Sequence, residues 1–278
     1  MNFKSIIKTV YTGASLITVA SIILLTLSFT NSFDALNGYF NSGILPILFW
    51  IAFITGIVIS LVSAFAIRKN ERIKTEDPAG DHKLIYILFA AALAICALLF
   101  NILTISNYFT LMIVGVCAFA LFIMLCAAKD GYKYSHLKLL FLLLSVLFPL
   151  LMTFDNNAVM DRHSNSVENT LTSIFSIAFL IYILYEGNRI FKGEHSRWHF
   201  ASMLLVSHTG LTFSVSYVAA YIIGSVYETQ RLYQVVIMLI ISAFVELELL
   251  RFVSRSESRT KEEWEALETP QEETIEKQ

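Results

Sequence analysis

"ILYEGNRIFKGEHSRWHF" occupies residues 183–200. An apolar run ends at Tyr185, and eight of the next fifteen residues are Glu, Arg, Lys, His or Trp. A second apolar run opens near Phe200. Two long apolar runs separated by a short, mostly basic break have the pattern of two membrane-spanning helices joined by a loop. The composition of the whole chain agrees. Of its 278 residues 56% are hydrophobic and 15% charged, with a mean hydropathy of +0.65. Soluble domains carry about 25% charged residues, so the solvent for most of this chain is expected to be lipid.

Working outward from 183–200 gives eight apolar runs, at 5–29, 43–67, 84–105, 109–128, 138–154, 170–188, 200–224 and 233–253. Each approaches the ~20 residues that a helix needs to cross a bilayer core. None has the period-two alternation of a barrel strand, so an all-α bundle of eight transmembrane helices is expected over 1–253. The run 138–154 is the shortest and carries Pro149. No proline is expected to break the centre of a helix. The first run follows Lys4 and Lys8, is too long for a signal-peptide core and reads as an uncleaved anchor.

The basic residues give an orientation. Eighteen of the 20 Lys and Arg fall on one side of the eight runs, and only Arg162 and Arg231 fall on the other. By the positive-inside rule both termini are expected in the cytoplasm. The even-numbered runs then end inside, where a helix C-terminus favours a cation, and each ends with one: Arg68, Lys129, Arg189 and Arg251. Net charge is −2, which supplies no basic field for nucleic acid. Cys96, Cys117 and Cys126 all lie in apolar runs and suggest no disulfide framework.

Glu186 is out of place on this reading, since an anion at a helix C-terminus is unfavourable by itself. Glu248 and Arg251 repeat the E-x-x-R spacing of Glu186 and Arg189, and at i,i+3 both side chains share one helix face. Gly187 often marks a helix end, so Arg251 or Arg197 are alternative partners for Glu186. The four residues form a candidate cytoplasmic collar. Its plain reading is interfacial pairs that anchor helix ends by snorkelling; its functional reading is a gate or docking collar. Tyr185 and Trp198 fit an interfacial aromatic belt, and His195, Arg197 and His199 around Trp198 read either as a lipid-headgroup patch or, more simply, as a solvated loop.

The stretch "LYEGNRIFKGEHSRWHF", with "HLKLLFLLLSVLFPLLMTFDNNAVMDRHSNSVENTLTSIFSIAFLIYI" before it, resembles uncharacterised eight-helix integral membrane proteins of Clostridia-like Gram-positive bacteria. The resemblance covers mainly residues 136–253. It implies the same multi-spanning architecture and a bacterial plasma-membrane address, and carries no activity with it.

Ionisable residues deep in a membrane segment are functional candidates by default. His208, in "VSHTG", and Glu246, in "FVELELL", fall at similar depth on adjacent runs. They form a candidate intramembrane polar pair, either a proton or cation relay or a hydrogen bond between helices. Asn101 is a further interhelical donor. H-E-x-x-H, P-loop and G-x-S-x-G patterns are absent, so no catalytic, cofactor-binding or metal-ligating residue is assigned. Ser207 points about 100° away from His208 on a helix and is poorly placed as its nucleophile.

The segments outside the runs are small. The 155–169 stretch reads as an external connector, and 254–278, with eight Glu, reads as a disordered acidic cytoplasmic tail through which a protein partner is to be sought. Three functions stay open: a structural, regulatory or sensor-like membrane protein, a small-molecule or ion transporter using His208 and Glu246, or a membrane enzyme acting on lipid.

Overall fold

Without water, backbone N–H and C=O groups must bond within their own segment, and apolar runs satisfy this as helices. The computed structural model describes residues 3–34, 38–66, 83–103, 107–128, 135–158, 166–192, 196–226 and 229–255. Among them the helices are α1 (Phe3–Asn31), α2 (Ile44–Ala66), α3 (Lys83–Leu103), α4 (Asn107–Ala127), α5 (Ser135–Leu144), α6 (Leu147–Ala158), α7 (Val167–Lys192), α8 (Arg197–Ile223) and α9 (Thr229–Arg255). A two-rung hairpin of β1 (Phe33–Asp34) and β2 (Tyr39–Phe40) joins α1 to α2. The protein is all-α. Six helical stretches are long and apolar enough to cross a membrane: 5–31, 44–65, 110–127, 135–153, 167–191 and 197–223. The α3 stretch Lys83–Leu99 is apolar but shorter. The α9 helix has the length, 27 residues, and carries Arg231, Glu246, Glu248 and Arg251.

The lipid-like exterior is visible in α2. Ile44, Ile47, Leu48, Ile51, Ile54, Val58, Leu61, Val62 and Phe65 are all exposed and recur at three- and four-residue spacing. A continuous apolar face of this length suits a bilayer and not water. The opposite extreme is α8, where 78% of the most apolar window is buried, against 22% for α1. Its neighbours are α1, α2, α7 and α9. Ala201, Ser202, Ser207, Gly210, Ser214, Ser216 and Ala220 lie buried along α8, and small side chains of this kind let four helices approach its backbone. Ser196 caps the start of α8, accepting from the His199 amide, and Gly224 at φ 80° closes its end.

Two expectations need correction here. The fifth run is not one helix: α5 ends at Leu144 and α6 begins at Leu147. Pro149 has no N–H, and its ring would clash with the carbonyl of Ser145 four residues earlier. That carbonyl instead accepts from the Phe148 amide at 3.2 Å, while the Val146 amide turns back to Leu143 at 3.1 Å. A proline therefore does break the centre of a segment. The break is packed by α4, because a Cβ at Gly115 would lie 2.5 Å from the Phe148 backbone nitrogen. The second correction is to the 155–169 connector. Helix α6 runs on to Ala158 and α7 starts at Val167, where the Asn169 amide bonds the Ser166 hydroxyl. The 254–278 tail lies outside the described residues after Arg255, as does the side chain of Asn101.

The α4–break contact makes a direct test. Gly115→Val should cost about 1–3 kcal/mol by overpacking against fixed backbone. Gly13→Ala, where a Cβ would meet nothing within 4 Å, should be neutral or slightly stabilising. Thermal unfolding of both variants in one detergent measures the contrast.

Candidate functional site: a buried charge cluster at one end of the bundle

Helices α3, α5 and α8 begin, and α4, α7 and α9 end, at the same end of the bundle. Within about three turns of these termini lie Tyr86 on α3, Cys126 on α4, Lys138 on α5, Tyr182, Glu186 and Arg189 on α7, His199 on α8, and Glu248 and Arg251 on α9. Cys126 is within electrostatic reach of Lys138, Glu186, Arg189 and Glu248. Six helices thus contribute to this end of the bundle.

The collar residues sit in it as two carboxylate centres. At the first, Arg189 Nε donates to Glu186 Oε2 at 2.8 Å, and Arg189 Nη2 donates to Oε1. His199 Nε2 lies 2.8 Å from Glu186 Oε2, and the imidazole stacks on Tyr182 with ring centroids 5.9 Å apart. Glu186 is only 3% exposed. At the second, the Tyr86 hydroxyl donates to Glu248 Oε1. Arg251 Nη1 is 3.5 Å from the same oxygen, with its guanidinium 4.6 Å from the Tyr86 ring centroid.

This arrangement corrects the reading of interfacial snorkelling pairs. Protein, and not headgroup water, surrounds Glu186. Gly187 does not end its helix, because α7 continues to Lys192, so Arg189 stays at i+3 on the same face. His199 is not a loop residue; it lies in the first turn of α8 and is 2% exposed. Trp198 packs between Phe65 of α2 and Tyr185 of α7, at centroid distances of 5.6 and 6.5 Å, and Arg197 lies over both Phe65 and Trp198. His195 lies outside the described residues.

The structure does not bring His208 and Glu246 together as partners. Adjacent positions on α8 explain why: Ser207 points toward α9, whereas His208 is turned about 100° toward α1 and α2. His208 Nε2 is 3.0 Å from the Phe53 carbonyl of α2, and Nδ1 is 2.9 Å from the Thr18 hydroxyl of α1. A carbonyl only accepts, so Nε2 is the donor. Phe53 stacks on the imidazole at 5.3 Å. A Cβ at Gly56 would fall 2.2 Å from the imidazole, so only glycine admits this histidine against α2. Glu246 instead accepts from Tyr11 of α1 at 2.6 Å and from Ser207.

Sequence reasoning missed Lys138 as a member of this region, and Tyr86, Tyr182, His199, Tyr11 and Thr18 as partners. A signal for three of them exists. Tyr86, Lys138 and His199 each lie within one turn of the start of a helix that begins at the end of the bundle where the two E-x-x-R pairs lie. Lys138 entered the sequence reading only as a count toward orientation. Among the described residues, no three His, Cys, Asp or Glu side chains are grouped so as to hold a metal ion. No protein-family model, curated protein or solved structure matches the chain.

Breaking a buried ion pair from one side leaves the other charge stranded. Glu186→Gln should therefore destabilise by about 3–5 kcal/mol, while Glu186→Leu with Arg189→Leu should recover most of that loss. Thermal melts of the two variants give the comparison. For the deeper residues, Tyr11→Phe and Glu246→Gln should show a coupling of about 0.6–1.7 kcal/mol in a double-mutant cycle. His208→Leu and Glu246→Gln, which share no partner, should add within about 0.5 kcal/mol.

Proposed function

We propose that this protein is a structural or sensor-like regulatory component of a bacterial plasma membrane, crossing the bilayer eight times with both termini cytoplasmic. The observation that carries this reading is the use made of the deepest ionisable side chains. His208 joins α8 to α1 and α2, and Glu246 joins α9 to α1 and α8. Both serve as links between helices, His208 buried and Glu246 half-buried, as expected of a framework. The eighteen-to-two distribution of Lys and Arg supports the orientation, and the described helices supply six of the eight crossings by length and apolarity. The resemblance to Clostridia-like membrane proteins supports the address. The collar end, at the cytoplasmic face on this topology, is where a signal or a partner would be felt.

Transport is the second reading, and the interrupted fifth segment favours it. Transporters place substrate and ion sites at discontinuous helices. One reconstitution separates the two. In liposomes loaded with a pH-sensitive dye, the protein should add no proton leak beyond lipid alone under an imposed gradient. A leak that disappears in His208→Leu would establish transport. The topology has its own test. In a protein lacking Cys96, Cys117 and Cys126, an external thiol reagent should label cysteine at position 157 or 227 and spare positions 74 and 269.

A further inference from the structure

At the end of the bundle opposite the collar, α1 ends and α2 and α7 begin, with the hairpin of β1 and β2 beside them. The hairpin is seated on α7, where the Val167 amide donates to the Gly38 carbonyl at 3.0 Å. Gly38 has φ 71°, and a Cβ there would fall 2.9 Å from Ser166 Cβ, so this approach requires glycine. Pairing of Phe33 with Phe40 and of Asp34 with Tyr39 then fixes where the side chains go. Phe40 turns inward against Phe29 and Phe49, at centroid distances of 5.5 and 6.4 Å, while Tyr39, on the other face of the strand, is exposed. On α2, Trp50 is held against Phe49 and Phe53 at 5.0 and 5.9 Å. Between the hairpin, α2 and the start of α7 lies a recess of about 390 Å³.

Tyr39, Phe40 and Trp50 give this recess aromatic walls, and Asn41, Ser42 and Thr170 give it hydrogen-bonding groups. Among the described residues, the Trp50 indole N–H and the side chains of Asn41 and Ser42 have no hydrogen-bond partner. The Thr170 hydroxyl donates to the Ser166 carbonyl at 3.0 Å and keeps its lone pairs for an incoming donor. No charged side chain among the described residues lines the recess, and the charges adjoining it, Asp34 opposite Tyr39 and Glu168 next to Val167, are carboxylates. An anion would be repelled here, and a quaternary ammonium would leave the free donors and acceptors unused. A neutral ring that carries hydroxyls satisfies both halves. Its C–H face packs on the electron-rich face of an aromatic ring, and its hydroxyls meet the unpartnered polar groups. The volume falls within the ~300–1,000 Å³ typical of small-molecule sites. We infer that this recess binds a neutral sugar. The same ring is available from a free saccharide or from a glycolipid headgroup. Ile47 lines the recess and leads, through Ile51 and Ile54, onto the exposed apolar face of α2, along which an acyl chain would lie. The inference rests on neither the regulatory nor the transport reading.

The test uses the full chain with Trp198→Phe and Trp264→Phe, which leaves Trp50 as the sole tryptophan. In a sugar-free polyoxyethylene detergent, maltose should shift the Trp50 emission saturably. Asn41→Ala with Ser42→Ala should raise the half-effect concentration about tenfold, through the loss of two neutral hydrogen bonds. Phosphatidylserine discs containing a monoglucosyl diacylglycerol, against discs containing the same diacylglycerol without its sugar, supply the second source. A saturable response to maltose shows that the free ring suffices. A response to the glycolipid alone, absent with the plain diacylglycerol, identifies a headgroup, and either result supports the proposal. It is overturned if neither source shifts the emission, if the Asn41→Ala, Ser42→Ala protein responds as strongly, or if choline gives the same response as the sugar. Should the Trp198→Phe, Trp264→Phe background not fold, radiolabelled maltose and glycolipid bound to the wild type decide. About one of either per chain supports the site, and none overturns it.

Discussion

Placing Glu186 inside protein at the end of α7 constrains much of the architecture around it. A carboxylate there is tolerable only with charge and hydrogen bonds on more than one side. Arg189 comes from the same helix and His199 from α8, so the approach of α7 and α8 at this end is held by chemistry as well as by packing. Tyr182 then covers the imidazole one turn deeper. With α7 and α8 locked at this end, α9 is aligned beside α8, and its own Glu248 reaches Tyr86 on α3. The pairing thus runs from one hairpin to the periphery of the bundle.

Deeper in the bundle the same rule operates with neutral partners. His208 and Glu246 each take a hydroxyl from α1, through Thr18 and Tyr11. Helix α1 buries a smaller share of its apolar length than the other spanning stretches, and apolar contacts alone give little preference over lipid. These two bonds leave α1 about two turns apart, and the Ser216 hydroxyl of α8 donates to the Ile22 carbonyl about one turn further along at 3.0 Å, so together they set its rotation. The N-terminal helix is in this sense fastened and not merely adjacent.

The apolar runs made the fold class readable from the sequence, because lipid imposes length and hydropathy on every crossing. The positions of Glu186, Arg189, Glu248 and Arg251 were readable for a related reason: charge at the edge of an apolar run is conspicuous. Their burial was not. Hydropathy gives depth but not rotation about the helix axis, and rotation decides whether a residue meets lipid, water or a neighbour. The same gap separated His208 from Glu246, whose depths match while their faces differ. The break at Ser145–Val146 was missed for another reason. Pro149 was noted, but the carbonyl it displaces lies four residues earlier, near the middle of the segment.

Gly56 has a consequence for how this sequence can drift. The imidazole of His208 occupies the space in which any other residue at position 56 would place its first side-chain carbon. The two positions, 152 residues apart in the chain, therefore form a lock in which neither can change first without loss. Enlarging residue 56 expels the ring and frees the Phe53 carbonyl and Thr18 hydroxyl together, whereas shrinking residue 208 leaves a void beside a glycine that no longer has a reason to be one. Among descendants of this protein, substitutions at 56 and 208 should accordingly arrive as pairs, and a lineage that keeps the histidine should keep the glycine.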